Sequence, residues 1–310
     1  MTGLPSFKTR TPRRKKLVRL TIFALASFIV LGEIAFNVVY IYQMTRPARR
    51  TVCCGTPANW SLDYEELRVT SRDGTTIVGW YIPPQNGAVI LLLHGFGGDR
   101  LNLADQGRFL TQAGYGLVML DLRGHGESGG KYRDWGWKDT QDIAAIVEYI
   151  RQHPDVEHIG ILGHSYGGQI AMRSAAEISA IEAVIADGPG TATADDVRPL
   201  VGRDPAAAFI YVNMKINDWA SALVFGWSIP DSVIKSLPRL EGRPLLLIVG
   251  GSEPPEEDFG RIYYNAAREP KTLWVIPEAR HGQTWVVRPD EYADRVISFF
   301  DAAFMQPPSS

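Results

Sequence analysis

Five residues constrain this chain more than any others: Gly163-His164-Ser165-Tyr166-Gly167. An apolar run, residues 159–162, precedes them, and a helix-compatible stretch, residues 167–177, follows. A strand that gives way to a helix at a serine must turn within two or three residues. Such a turn lifts the hydroxyl clear of the top of a parallel sheet, where it can act as a nucleophile. Glycines flank it because a Cβ at either place would collide with the neighbouring strand or helix. The Gly-x-Ser-x-Gly spacing alone is a weak signal, and its position between strand and helix is what gives it weight. A serine hydroxyl needs a base beside it. One histidine follows Ser165 in the chain, His281.

The rest of the sequence fits a sheet that could hold such a turn. Residues 66–71 and 77–82, joined through Asp73-Gly74, read as a hairpin. Residues 88–93, 117–120, 159–162, 183–186, 245–249 and 273–276 are short continuous apolar runs, the pattern of strands buried on both faces. Helical periodicity falls between most of them, over 101–113 (stopped by Gly114), 140–150 and 167–177, and again over 289–304. This alternation predicts an α/β fold with a mostly parallel, eight-stranded sheet and helices on both faces. One connection breaks the rhythm. Residues 187–244 hold Phe209, Tyr211, Trp219, Phe225 and Trp227. A structureless loop of that length is improbable, so a small helical cap is expected over about 190–240.

Charge is unevenly spread. The net charge is −2, yet residues 1–50 hold ten Lys or Arg against one Glu, so the remainder is acidic. An acidic body argues against a nucleic-acid partner. The basic end is interrupted by residues 20–42, an apolar segment about 35 Å long as a helix, enough to cross a bilayer. Seven Lys or Arg precede it and three follow closely. That bias puts the N-terminus in the cytoplasm and the bulk of the chain outside, with the segment as an uncleaved anchor. The expected division is a basic segment 1–19, an anchor 20–42, a linker 43–60 and a domain 61–305, with 306–310 a frayed tail. Glu33 and Asn37, four apart, share a helix face. They read either as a tolerated polar pair near the outer interface or as a helix contact that would make a homo-oligomer. Cys53 and Cys54 are the two cysteines. Adjacent Cα atoms about 3.8 Å apart are too close for an unstrained bridge, so no bond between them is expected.

Three motifs stand at the C-terminal ends of predicted strands: His94-Gly95-Phe96-Gly97-Gly98, Asp121-Leu122-Arg123-Gly124-His125-Gly126-Glu127-Ser128, and Gly163–Gly167. Open α/β sheets place their ligands there. With these motifs the chain resembles the α/β-hydrolase superfamily over residues 62–304, and is similar to its membrane-anchored esterase- or lipase-like members. The resemblance implies Ser165 as nucleophile and His281 as base, with the backbone N–H groups of Phe96 and Tyr166 receiving the oxyanion. It also implies an acid after the strand 245–249, where most relatives carry aspartate. This chain reads Gly250-Gly251-Ser252-Glu253-Pro254-Pro255-Glu256-Glu257-Asp258. Glu253 aligns best by count. Glu256, Glu257, Asp258 and Asp187 are the alternatives. His94 and the 123–128 loop are expected to brace the site, and His164 to shape it.

No cofactor or metal is expected, since the sequence has no His-Glu-x-x-His motif, Cys/His cluster, Walker loop or dinucleotide fingerprint. The expected activity is that of a serine hydrolase on an acyl bond, a carboxylic ester first (EC 3.1.1), with a small acyl or lipid-like substrate. A peptidase, amidase or acyltransferase would use the same residues. A non-catalytic binding or sensor protein on the same fold is the reading from another class.

Overall fold

The computed structural model describes residues 12–46, 52–202 and 205–305. The basic positions Lys8 and Arg10, part of the expected linker and the expected C-terminal tail lie outside the described residues.

The eight strands are β1 (Glu65–Thr70), β2 (Thr76–Ile82), β3 (Ala88–Leu93), β4 (Gly116–Asp121), β5 (His158–His164), β6 (Ala183–Asp187), β7 (Leu245–Gly250) and β8 (Lys271–Ile276). They form one sheet in the order β1-β2-β4-β3-β5-β6-β7-β8. β1–β2 and β2–β4 pair antiparallel and the other five pairs are parallel. β3, β4 and β7 are buried at every position, which is why they read as unbroken apolar runs.

The helices are α1 (Pro12–Thr45), α2 (Ala104–Gln112), α3 (Asp139–Ile150), α4 (Tyr166–Glu177), α5 (Pro205–Phe225), α6 (Val233–Ser236), α7 (Pro254–Ala266), α8 (Thr284–Val287) and α9 (Pro289–Phe304). Two apolar cores sit on the two sheet faces. Val89, Leu91 and Leu93 of β3 meet α3, α4 and α7 in one, while Ile90 and Leu92 meet α2 and α9 in the other. Strand alternation is what sends neighbouring residues into separate cores. On α9, Tyr292, Val296 and Phe300 recur every four residues and are fully buried, the single apolar stripe of a surface helix.

The long connection after β6 is helical: α5 and α6 occupy it, with short 3₁₀ turns on either side. α5 packs against α1. The stretch Lys15–Thr45 of α1 is long and apolar enough to cross a membrane by length and composition. Asn37 donates to the backbone O (2.8 Å) and Oε1 (3.1 Å) of Glu33, so that pair is closed within α1. One expectation is corrected. Cys53 and Cys54 are bonded to each other, where none was expected.

Candidate active site

β5 ends at His164, and Ser165 takes φ 53°, a left-handed value for a residue with a side chain. α4 starts at the next residue. The two glycines are sterically required. A Cβ on Gly163 would strike the Gly167 carbonyl in α4, and a Cβ on Gly167 would strike the Leu93 carbonyl at the end of β3. The turn therefore closes against its own helix on one side and the adjacent strand on the other.

His281 follows β8 and reaches Ser165 across the sheet. Its Nε2 is 2.9 Å from Ser165 Oγ, and its Nδ1 is 2.8 Å from Glu256 Oε2. With Nδ1–H donating to the carboxylate, Nε2 is left to accept the serine proton. The hydrogen bond that His281 donates to Glu256 raises the His281 pKa above its ordinary value, against the opposing effect of partial burial. Gly188, at φ +54°, gives this pair its room. A Cβ there would lie 3.1 Å from Glu256 Oε1 and 3.2 Å from His281 Nδ1.

The acid facing His281 is thus Glu256 and not Glu253, which corrects the choice made by counting from the strand. α7 begins at Pro254, so the residues read as loop are already its first turn. Glu253 is the exposed N-cap residue. Glu256 sits three residues in, where side chains tilt back towards the helix N-terminus and hence towards the end of β7. Its second oxygen accepts from Gly250 N at 2.7 Å, and the side chain is buried. The Pro254-Pro255 pair was the available signal, since proline favours the first helical position. Asp187 is also excluded as the partner of His281. Thr284 Oγ1 (2.8 Å) and Tyr292 OH (3.0 Å) both donate to its carboxylate, deep under the site. Glu257 pairs with Arg261, and Asp258 is exposed.

The loop after β3 runs beside the serine: a Cβ on Gly95 would lie 3.6 Å from Ser165 Cβ. Phe96 in this loop packs edge-on against Tyr166, ring centroids 5.5 Å apart. Two buried histidines hold the loop. His94 donates from Nδ1 to Gly95 O (2.7 Å) and accepts at Nε2 from Leu122 N (3.0 Å). His125 donates from Nδ1 to Arg123 O (2.8 Å) and accepts at Nε2 from Gly97 N (3.1 Å). Each imidazole uses one nitrogen as donor and the other as acceptor, so both are neutral. Burial pushes the His94 pKa down and that of His125 down to about 2. The sequence marked His94 and the 123–128 loop as braces. That His125 clamps the Phe96 loop directly was not legible, because nothing local in the sequence pairs residue 97 with residue 125.

Charged side chains complete the brace. Arg100 donates to both carboxylate oxygens of Asp121, through its backbone N and its side chain (2.8 Å each), and also reaches Glu127. Arg123 joins Asp142 and Asp73. The cavity over Ser165, about 590 Å³, is walled by the 95–106 segment, Ser165, His281, Trp285 and Val286. α5 does not line it. The cap meets the site through Trp135 instead, which stacks on Phe96 (5.6 Å between centroids) and donates from Nε1 to Ser221 on α5 (3.2 Å). Among the described residues no cluster of His, Cys, Asp and Glu suits a metal ion.

A family model described as alpha/beta hydrolase fold matches residues 88–224. The fold is similar to that of the Pyrococcus furiosus esterase Pf2001, with a TM-score of 0.67 and 28% identity over 84% of this chain and 98% of that one. In sequence the chain is 27% identical to the Salmonella typhimurium protein YfhR, over 94% of this chain and 97% of YfhR. A shorter stretch of 129 residues is 34% identical to mouse protein phosphatase methylesterase 1, 39% of this chain and 33% of that protein.

Proposed function

The chain belongs to the α/β-hydrolase superfamily, and from that premise we propose that it is a serine esterase, anchored in a membrane, that cleaves acyl esters through Ser165, His281 and Glu256. Its fold and its esterase neighbours support hydrolase activity. The observation that carries the finer reading is the hydrogen-bonded line Glu256–His281–Ser165, ending on a serine held at positive φ.

In this reading Ser165 Oγ attacks the ester carbonyl while His281 Nε2 takes its proton. Glu256 holds the imidazole in the correct tautomer and stabilises the imidazolium. Negative charge develops on the former carbonyl oxygen, and the N–H groups of Phe96 and Tyr166 receive it. Each such donor is worth about 3 kcal/mol in comparable sites. His281 then gives the proton to the leaving alkoxide, and water deacylates the serine by the same route. The His94 and His125 clamps keep the Phe96 loop in place without adding a charge that would compete for the oxyanion. Methylesterase 1 and Pf2001 carry esterase in their names, which favours an ester over an amide here. Residues 20–42 serve as the anchor, with the N-terminus cytoplasmic and the catalytic domain outside, because basic residues gather before the segment. A lipophilic or small acyl ester suits that setting.

The test is the intact mass of the full chain in detergent after exposure to a fluorophosphonate. One adduct on Ser165, missing in His281→Ala, is the expected result. A folded protein that takes up no adduct would refute the esterase reading and leave a binding protein on a hydrolase fold.

A further inference from the structure

Helix α5 is built inside out. Its inward face carries Asp218 and Ser221, 6% and 0% exposed. Asp218 accepts from Ala194 N at 2.9 Å, and Ser221 accepts from Trp135 Nε1 at 3.2 Å. The opposite face presents Phe209, Val212, Ile216, Trp219 and Leu223, spaced three, four, three and four residues apart, one continuous stripe of a helix. Phe209, Trp219 and Leu223 are 73%, 66% and 84% exposed. Each such side chain left in water forgoes the free energy that burial would release. A stripe this long on a helix whose opposite face is already packed against the protein needs a non-aqueous neighbour.

The placement of α1 says which neighbour. Within the anchor, residues 20–36 turn their large apolar side chains outward over about 25 Å of helix. The helix then changes character. Asn37, Ile41 and Thr45, four apart, are buried. Thr45 O accepts from Arg133 N (2.9 Å). Tyr40 shares a cavity of about 210 Å³ with Met214 and Ser221 of α5. Arg46 lies over Tyr132, whose ring packs on Phe225 at the end of α5. The outer end of the anchor is therefore the part fastened to α5, so α5 stands close to the membrane surface.

We infer that α5 lies in the outer-leaflet interface of the bilayer that α1 crosses, with the Phe209–Leu223 stripe among the acyl chains and headgroups. The inference rests on the anchor reading, and extends it from one point of attachment to two. Interfacial helices sink an apolar face about 5–10 Å into the boundary while their polar face stays outside. Here the polar face is turned to the protein, where Trp135 links it to Phe96. The hydrolase body is thus seated at a fixed height and tilt, and not tethered loosely on its linker.

The test uses the full chain, with its eight tryptophans, in nanodiscs of phosphatidylcholine with or without brominated acyl chains. Bromine quenches tryptophan only at short range. The quenchable fluorescence is compared between the wild type and Trp219→Phe, a conservative change at an exposed position. The expected result is a component, quenched at least twofold by brominated lipid, that is missing in Trp219→Phe. Equal quenching in the two proteins, while both resist alkaline carbonate extraction, overturns the inference and leaves the anchor intact. Release of the protein by carbonate overturns both. A Leu223→Cys variant, with Cys53 and Cys54 replaced by Ser, addresses the competing occupant. If it crosslinks to itself in nanodiscs loaded with two chains, a second copy covers the stripe and the bilayer does not.

Discussion

The Ser165 face and the α1–α5 face follow opposite rules of burial. Around Ser165, polar groups are buried and paired: His94 and His125 each spend one nitrogen as donor and one as acceptor, and Glu256 divides its two oxygens between Gly250 and His281. On α5 the apolar groups are outside and the polar ones within. α9 shows what the same chain does with a helix facing water: Tyr292, Val296 and Phe300 are turned inward. In the proposed reading, burial around Ser165 fixes a geometry, whereas exposure on α5 fixes a location. Substitutions on the first should alter chemistry and leave location unchanged, and substitutions on the second should do the reverse.

The largest effect tests the chemical side. Ser165→Ala and His281→Ala are each expected to lower kcat on a soluble ester by about 10⁶, with thermal stability and membrane retention unchanged. Loss of membrane retention in either would break the separation of the two faces. Glu256→Gln comes next, with a fall in kcat of about 10⁴ and little change in KM, because the tautomer is lost but the pocket is not. Glu253→Gln, at an exposed N-cap, should stay within about twofold. If the two glutamates exchange these outcomes, the assignment of the acid is wrong.

The pH dependence separates the histidines. His281 must be neutral to act as base, and Glu256 raises its pKa above the ordinary 6.5. kcat/KM should therefore rise with pH through a midpoint above 6.5, and Glu256→Gln should move that midpoint down. His94 and His125 shift the other way. Their folded pKa values are depressed, so the unfolded chain binds protons that the folded chain refuses. Their contribution to stability is present above about 6.5 and lost as pH falls, by up to about 1.4 kcal/mol per pH unit for each. Thermal melts from pH 7 to 4 would show it, and His125→Gln should flatten the slope. The smallest effect tests the other face. Leu223→Ser in detergent should keep kcat/KM for a soluble ester within about twofold. A larger loss would mean that α5 serves the chemistry directly.

Much of this was legible without coordinates. The strands at 88–93, 245–249 and 273–276 and the last helix lie where the apolar runs and periodicity put them, because strand and helix periods are properties of neighbouring residues. Ser165 and His281 meet as chain order and motif required. The acid was not legible. Glu253, Glu256, Glu257 and Asp258 lie within six residues, and a count from the strand cannot tell which of them a new helix will turn back towards the sheet.

The sequence by itself determined the alternation, the glycine-flanked serine and an apolar segment long enough to cross a bilayer, because each is written in local spacing and in residues that no other residue can replace. Tertiary structure alone decided that Glu256 faces His281, that His125 holds Gly97, and that α5 turns its apolar side outward. Those choices depend on which way a side chain points once distant segments pack, and direction is settled by the neighbours that folding brings, not by the order of residues along the chain.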